Sequence, residues 1–375
     1  MSQINANSIY DASGGQSARL YGVSMRNGGT GWVNRIINGD MRIDQRNNGA
    51  SVTGIAAVGA LYTLDRWIGW LANVSTANLT VQQSSIAPPG FTNSLGVTIT
   101  AAQASLSSGF YSMIWQRIEG FNVADLGWGA AGAQSVTLSF WVRSSVTGQF
   151  GGSLLNSSQN RSYPFAYTIS AANTWEQKTI TVPGDTSGTW LTNNSTGLIL
   201  SIGLALGSNS LATANAWGTA AAYSATGQTN LYATNGATFF ITGVQLEAGS
   251  VATPFERRDY GRELMMCQRY LPVAFIPQNN YMYAGQVFGA TNAQVFIPFA
   301  VIARTAPTGI TAVGSPQFAQ IGGSPNGSVA FQAGSTFGAS LTGNGLITGF
   351  TAGQATSLVT TASGGAQIFF NGCEL

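Results

Sequence analysis

FFITGVQLEAGSVATPFERRDYGRELMMCQRYLP, Phe239 to Pro272, divides two long polar, glycine-rich regions of the 375-residue chain. Its first part alternates. Phe239, Ile241 and Gly243 fall on one face of an extended segment, and Phe240, Thr242 and Val244 fall on the other; that is the period of a strand. The strand runs on through Gln245 and Leu246, and Gly249, Thr253 and Pro254 break it. Next comes the densest charge in the chain, from Glu256 through Arg258, Asp259 and Glu263 to Arg269. Leu264, Met265, Gln268 and Leu271 keep a helical spacing there. The stretch reads as the closing strand of one domain, a turn, and a short helix that hands the chain to the next domain.

Outward on both sides the texture is β. Upstream, NLTVQQSS, SLGVTITAA, FYSMIWQRIEG, SVTLSFWVRSS, PFAYTISA, WEQKTITVPG and GLILSIGLAL are short apolar runs separated by clusters such as PPG, WGAAGA, PGDTSG and GSNS. Strands at this spacing predict an antiparallel sandwich, with the jelly roll as its most specific form. IEGFNVADLG, Ile118 to Gly127, predicts a loop with one helical turn. Downstream, QVFIPFAV, GITAV, SVAFQA and AQIFFNG predict a second β domain with Gly-Ser-Asn turns. The expected organisation is an N-terminal arm over 1–33, a sandwich over 34–256, a helical connector over 257–271 and a C-terminal β tip over 272–375.

Composition bounds the chemistry. The chain is 44% hydrophobic, enough for real cores, but only 7% charged, against about a quarter in an ordinary soluble domain. A net charge of +2 supplies no field for nucleic acid. Of 15 basic residues only Lys178 is a lysine; arginine is the better partner for buried or interfacial carboxylates. From Thr305 to Cys373 no residue is charged, which leaves a free monomeric domain poorly protected against association. The reading is a surface buried between copies of the chain. No apolar run is long enough to span a membrane, and MSQINANSIYDASGG lacks the basic and apolar parts of a signal peptide. A 267–373 bridge and two separate buried thiols are both open for Cys267 and Cys373.

The absence of histidine removes Ser-His-Asp and Cys-His catalysis and nearly every imidazole-based metal site. No phosphate-binding loop or dinucleotide fingerprint occurs, and no cofactor or metal is expected. A glycosidase needs two carboxylates set across a sugar. Within the sandwich, Glu119, Asp125 and Asp185 are the acids least tied to arginine in sequence. Asp40, Asp44 and Asp65 lie among Arg35, Arg42, Arg46 and Arg66, and predict a local paired network.

GVQLEAGSVATPFERRDYGRELMMCQRY, Gly243 to Tyr270, resembles a segment common in bacteriophage tail-fibre and related virion proteins. NRIINGDMRIDQRNNGASV (Asn34 to Val52) and YTLDRW (Tyr62 to Trp67) reinforce the resemblance. So do VTLSFWVRSS (Val136 to Ser145) and NTWEQKTITV (Asn173 to Val182), which extend it over roughly residues 34 to 271. The last hundred residues match that family only loosely. The resemblance implies a jelly roll of the carbohydrate-binding-module type, a homotrimer, and an N-terminal arm that attaches to a phage tail or baseplate protein. It also implies a virion location facing the host cell, with no membrane insertion. The expected work is adsorption to a host surface glycan without catalysis. A purely structural virion or baseplate decoration and a surface-polysaccharide depolymerase are the alternatives.

Sugars are held on the faces of Trp and Tyr, with amides and arginine bonding their hydroxyls. Tyr111, Met113, Trp115 and Arg117 share one face of their strand. Val136, Leu138, Phe140 and Val142 turn inward on theirs, so Thr137, Trp141 and Arg143 face away. Trp115, Trp141 and Arg143 are therefore candidate ligand contacts, with packing in a second layer as the plainer reading. In the tip, Tyr281 and Tyr283 beside Gln278, Asn279 and Asn280 form a candidate aromatic and amide contact; interface packing is its alternative.

Overall fold

The computed structural model describes residues 33–320, 325–343 and 347–375. It also gives the backbone of two short paired strands, Ala18–Leu20 and Val23–Met25. The attachment arm read over 1–33 lies otherwise outside the described residues.

The first part is a two-sheet antiparallel sandwich, as the alternating runs predict. Its strands are β1 (Ala60–Tyr62), β2 (Trp67–Ala72), β3 (Asn78–Ser84), β4 (Ser94–Ala101), β5 (Tyr111–Glu119) and β6 (Val136–Ser144). They continue with β7 (Gly148–Leu155), β8 (Ser162–Ile169), β9 (Glu176–Val182), β10 (Thr196–Leu206) and β11 (Thr238–Ala248). One sheet has six strands in the order β8-β7-β10-β5-β2-β1, and the other has five in the order β9-β6-β11-β4-β3. The non-sequential order, with chain crossing repeatedly between sheets, is that of a jelly roll. Inner side chains of both sheets, among them Ile114, Leu200 and Phe165 facing Val97, Phe140 and Phe239, form one fully buried core. Each such side chain contributes about 1.5–3 kcal/mol relative to exposure.

β11 is central in its sheet, but its alternation is not continuous. Phe239 and Ile241 point inward, and so do Val244 and Leu246, which puts Val244 on the opposite face from the one the simple period gave it. The register slips between Thr242 and Gln245, and Gly243 adopts φ +61°, a conformation that costs a residue with a Cβ and not glycine. This bulge re-phases the strand. The loop read at Ile118 to Gly127 begins two residues later, at Gly120, after Glu119 ends β5. It holds two 3-10 turns, Gly120–Asn122 and Ala124–Leu126.

Helix α1, Tyr260–Gln268, starts at Asp259, whose side chain accepts from the Arg262 N–H at 2.9 Å. Its buried face is Glu263, Met266 and Cys267, continued by Tyr270, and Met265 is 47% exposed. The face thus lies one position away from the Leu264–Met265–Gln268 spacing. The reason is what it packs on: the 34–46 segment supplies Ile37 and Ile43 for Met266, Cys267 and Tyr270. Arg258, with only 3% of its side chain exposed, donates to the carbonyls of Asn34 and Ile36 and pairs with Glu256 and Glu263. Glu263 in turn accepts from the Asn38 N–H. These bonds satisfy backbone that otherwise has no partner in a sheet.

The last part has its own core, including Val295, Phe318, Leu341, Leu358, Ile368 and Phe370. Strands β12 (Val273–Ile276), β13 (Met282–Gly289), β14 (Asn292–Pro298) and β15 (Gly309–Val313) come first. β16 (Gln317–Gln320), β17 (Ala330–Ser335), β18 (Gly338–Thr342), β19 (Ala355–Val359) and β20 (Ala366–Asn371) follow. They form a three-stranded sheet, β12-β20-β15, and a six-stranded one, β16-β19-β13-β14-β18-β17. Cys267 and Cys373 are both buried free thiols.

The arginines of the 34–66 region do not close a local network. Arg42 pairs with Asp40 at 2.5 Å, but Arg46 pairs with Glu374 and Arg35 with Asp125 at 2.5 Å. Arg66 lies 3.6 Å from the centre of the Tyr270 ring. Asp65 is held by the Gln45 N–H and side-chain amide, each at 2.6 Å. The end of the described chain is thereby fastened to the sandwich: Tyr62 also donates to the Leu375 carbonyl at 2.6 Å.

Candidate glycan-binding site

On the outer face of the six-stranded sandwich sheet, β5 and β2 turn Tyr111, Met113, Trp115, Arg117, Ile68 and Trp70 away from the core, and β1 adds Tyr62. Trp115 is 1% exposed and so forms the floor of this face, not its surface. Trp70 lies on it at 4.7 Å between ring centres and Tyr223 at 5.5 Å. Tyr111 reaches both neighbours, Trp70 at 5.8 Å and Tyr223 at 6.2 Å. Trp70, Tyr111 and Tyr223 are half-buried, so three rings share one partly open surface over an apolar base. Arg117 stands 5.8 Å from the Trp115 ring, and the Tyr223 hydroxyl donates to the Gln159 amide oxygen at 2.7 Å.

A strap, residues 207–230, crosses this face. It is tied down by a two-residue parallel bridge between Leu211–Ala212 and Ser224–Ala225. Gly151 and Gly203 make that approach feasible: a Cβ at either position would stand 2.5 Å from the Ser224 hydroxyl or the Gln228 side-chain oxygen. Trp115 Nε1, Ser224 Oγ and both polar atoms of the Gln228 amide are buried without a hydrogen-bond partner among the described residues. Folded interiors leave few such atoms, each at a cost of about 1–3 kcal/mol. Here four of them belong to one sheet face and the strap lying on it.

Trp141 and Arg143 lie elsewhere, on the outer face of the five-stranded sheet. Both are half-buried; Arg143 donates from Nε to the Asn173 carbonyl at 2.8 Å and stands 5.3 Å from the Phe240 ring. The tip residues form a third place. Tyr281 is 63% exposed, Gln278 donates to the Thr361 carbonyl at 3.1 Å, and Asn280 donates to the Gln278 carbonyl at 3.1 Å. Tyr283 is half-buried at φ +58° and packs on the tip core. The predicted residues therefore occupy three separate surfaces.

Sequence reading missed the surface rings beside Trp115. Trp70 follows the alternation of WIGWLA, which signals it; Tyr223 lies in an irregular strap with no period to betray it. It also missed Trp128, Trp190 and Trp217, whose rings pack mutually edge-on at 4.7, 5.3 and 5.5 Å. All three indoles donate to carbonyls, of Gln134, Ser187 and Pro183. That cluster pins three loops together.

The three acids considered for glycoside hydrolysis are each engaged. Asp185 is paired with Arg161 by two bonds of 2.7 Å, Asp125 with Arg35, and Glu119 with Arg269 at 2.6 and 2.9 Å. Tyr270 adds a hydrogen bond of 2.6 Å to Glu119. Their arginines come from distant sequence, which is why the chain order showed none. A cavity of about 180 Å³ between β5 and α1 is lined by Ile37, Phe121, Met266, Tyr270 and Arg269, with Glu119 as its one carboxylate. Hydrolysis of a glycoside calls for two. Among the described residues no group of three His, Cys, Asp or Glu is placed to hold a metal ion.

No family model and no curated protein matches the chain. Among solved structures it is similar to the enzymatically active domain of tailspike protein 4 of bacteriophage CBA120. That match has 12% identity and a TM-score of 0.31, over 58% of this chain and 22% of that one. It is also similar to the family 11 carbohydrate-binding module of Clostridium thermocellum, with 13% identity and a TM-score of 0.27, over 52% of this chain and 97% of the module. A third is the C. thermocellum xylanase 10B fragment of a CBM22 and a GH10 module, with 13% identity and a TM-score of 0.28, over 52% of this chain and 28% of that one. The chain thus spans under a third of the length of the tailspike and xylanase chains. The jelly roll itself is read from this chain's own sheets and register.

Proposed function

We propose that this chain is a glycan-binding adhesin of a bacteriophage tail fibre, and that the outer face of the six-stranded sandwich sheet holds the sugar. The observation that carries the reading is the pairing of three half-open rings with buried polar atoms that have no partner among the described residues. A sugar presents apolar C–H faces to Trp70, Tyr111 and Tyr223. Its hydroxyls supply both donors and acceptors, matching the Trp115 indole N–H, the Ser224 hydroxyl and the Gln228 amide. The Trp115 nitrogen lies under the strap and the Ser224 and Gln228 atoms lie on the strap's own buried side, so a hydroxyl reaches them when the strap shifts. Binding by stacking is weak per site, and many copies on one particle multiply it.

The virion setting rests on the sequence resemblance of residues 34 to 271. The N-terminal arm would attach to a tail or baseplate protein. Self-association, as a homotrimer, is favoured by the tip: Phe288, Phe296 and Phe337 are 54%, 52% and 64% exposed in a region whose sequence carries no charge from Thr305 to Cys373. A structural decoration that binds no host is the second reading. The engaged state of Glu119, Asp125 and Asp185 speaks for binding without turnover. The test is retention of labelled protein on an array of bacterial surface glycans, for the native chain and for Trp70→Leu/Tyr111→Leu. Those changes keep an apolar cover on Trp115 and remove the flat faces. Native retention lost in the variant supports the proposal; no retention by the native protein turns the assignment to the structural role.

A further inference from the structure

We infer that the opposite face of the sandwich, on the five-stranded sheet, is a second binding surface, and that its ligand is a polysaccharide bearing ring carboxylates. The inference rests on the glycan-binding reading and adds the charge class.

Six arginines of the sandwich are committed to an acid, while Arg66 stacks on the Tyr270 ring and Arg117 stands by Trp115 on the other sheet. Arg35, Arg42, Arg46, Arg161, Arg258 and Arg269 all form ion pairs. Among the described residues Arg143 and Arg257 form no ion pair; each lies against aromatic rings. Arg143 stands across from Phe240 in the strand pairing, with Trp175 6.4 Å from that same ring. Only its Nε is bonded, to a backbone carbonyl, so its terminal nitrogens are unengaged among the described residues. Arg257 is exposed, 4.7 Å from the Phe91 ring centre and 5.9 Å from that of Phe255.

The two clusters belong to one surface. Gly243, the bulge of β11, has the Phe91 ring over its α-carbon and Trp141 beside it: a Cβ there would stand 2.7 Å from the first and 3.2 Å from the second. Phe91 packs on Phe255 at 5.3 Å. Rings and guanidiniums therefore alternate from Trp175 across Arg143 and Trp141 to Arg257. Acids close by in the strands and the following loop are occupied: Glu176 accepts from the Ser170 and Ala171 N–H groups and from Lys178, Glu247 from the Thr253 N–H and hydroxyl, and Glu256 from the Asn34 N–H and Arg258. A guanidinium matches a carboxylate in a planar, two-bond fork, and the ring beside it matches the face of a sugar. A linear polyuronate carries both elements in every residue. A phosphate-linked polymer supplies the charge without that regular ring beside it.

The experiment uses the full chain and three polyuronates, polygalacturonate, polymannuronate and polyguluronate, with their methyl esters as neutral counterparts, read by calorimetry. The expected result is binding of at least one acid form, with its ester at least tenfold weaker. Arg257→Gln, at an exposed side chain with no hydrogen bond among the described residues, weakens it about tenfold, and Arg143→Gln/Arg257→Gln more than that. Raising the salt weakens it further. Equal binding of acid and ester, or an unaltered affinity in Arg257→Gln, overturns the inference. Failure of all three acids overturns it as well. Retention of a neutral glycan by the same preparation then shows that the first site stands alone, and no retention of any glycan shows that the glycan reading fails with it.

Discussion

Arg269 and Glu119 stand 150 positions apart in the chain and meet in two hydrogen bonds of 2.6 and 2.9 Å, with the carboxylate side chain only 1% exposed. One residue ends a strand of the sandwich and the other follows the connector helix. The pair, with Tyr270 donating to the same carboxylate, fixes the connector against the sheet that carries the candidate site.

Removing one partner of this pair leaves a buried charge. Arg269→Met is expected to destabilise by about 3 kcal/mol, and Glu119→Gln/Arg269→Met by clearly less. Urea unfolding of the two single variants and the double variant measures the coupling. Additive losses would show that the two side chains do not support each other.

The bulge at Gly243 makes a sharper demand. Its φ of +61° and the Phe91 ring 2.7 Å from a Cβ both oppose any side chain. Gly243→Ala is expected to cost about 1–3 kcal/mol, read as a lower urea midpoint. A neutral result would mean that the re-phasing of the strand does not depend on this residue.

Asp65 gives a pH dependence of stability whose sign differs from that of a salt-bridged acid. Burial, the largest influence, raises its pKa above the ordinary 3.8 in spite of two bonds from Gln45. The native state then binds the proton more tightly than the unfolded chain. Stability from this group is full below 3.8 and falls as pH rises through the interval up to the raised value. Asp44, also raised by burial, acts in the same direction. Urea midpoints between pH 4 and 7 are expected to depend on pH less in Asp65→Asn than in the native protein. An identical profile in the variant would contradict this assignment.

Self-association through the tip predicts a native trimer in sedimentation equilibrium. Phe288→Glu/Phe296→Glu, at side chains already about half exposed, should shift it to monomer without lowering the unfolding midpoint. A native monomer would remove the oligomeric reading of the uncharged region.

Much of the sandwich was legible because period-two alternation reports directly which face a residue takes. Val136, Leu138, Phe140 and Val142 are all buried, and Trp141 and Arg143 do face away. Alternation does not report a bulge, so Val244 moved to the core side. It also says nothing of what covers an outward residue, and Trp115, outward from the core as its spacing implied, is roofed by Trp70 and Tyr223. Ion pairing was legible only where partners are adjacent, as Asp40 and Arg42 are. Arg46 with Glu374, and Arg161 with Asp185, join segments that only the fold brings together. The helix face shifted for the same reason, since its partners lie more than 200 positions upstream at Ile37 and Ile43.

The most direct test of the central claim is glycan-array retention of the native protein beside Trp70→Leu/Tyr111→Leu, with unfolding midpoints recorded for both. Each ring face contributes on the order of 1 kcal/mol to stacking, so losing two weakens binding roughly thirtyfold. The account predicts a defined set of retained glycans, lost in the variant at an unchanged midpoint. Retention of the same glycans at the same strength by the variant would contradict it, because the sugar would then lie somewhere other than on this face.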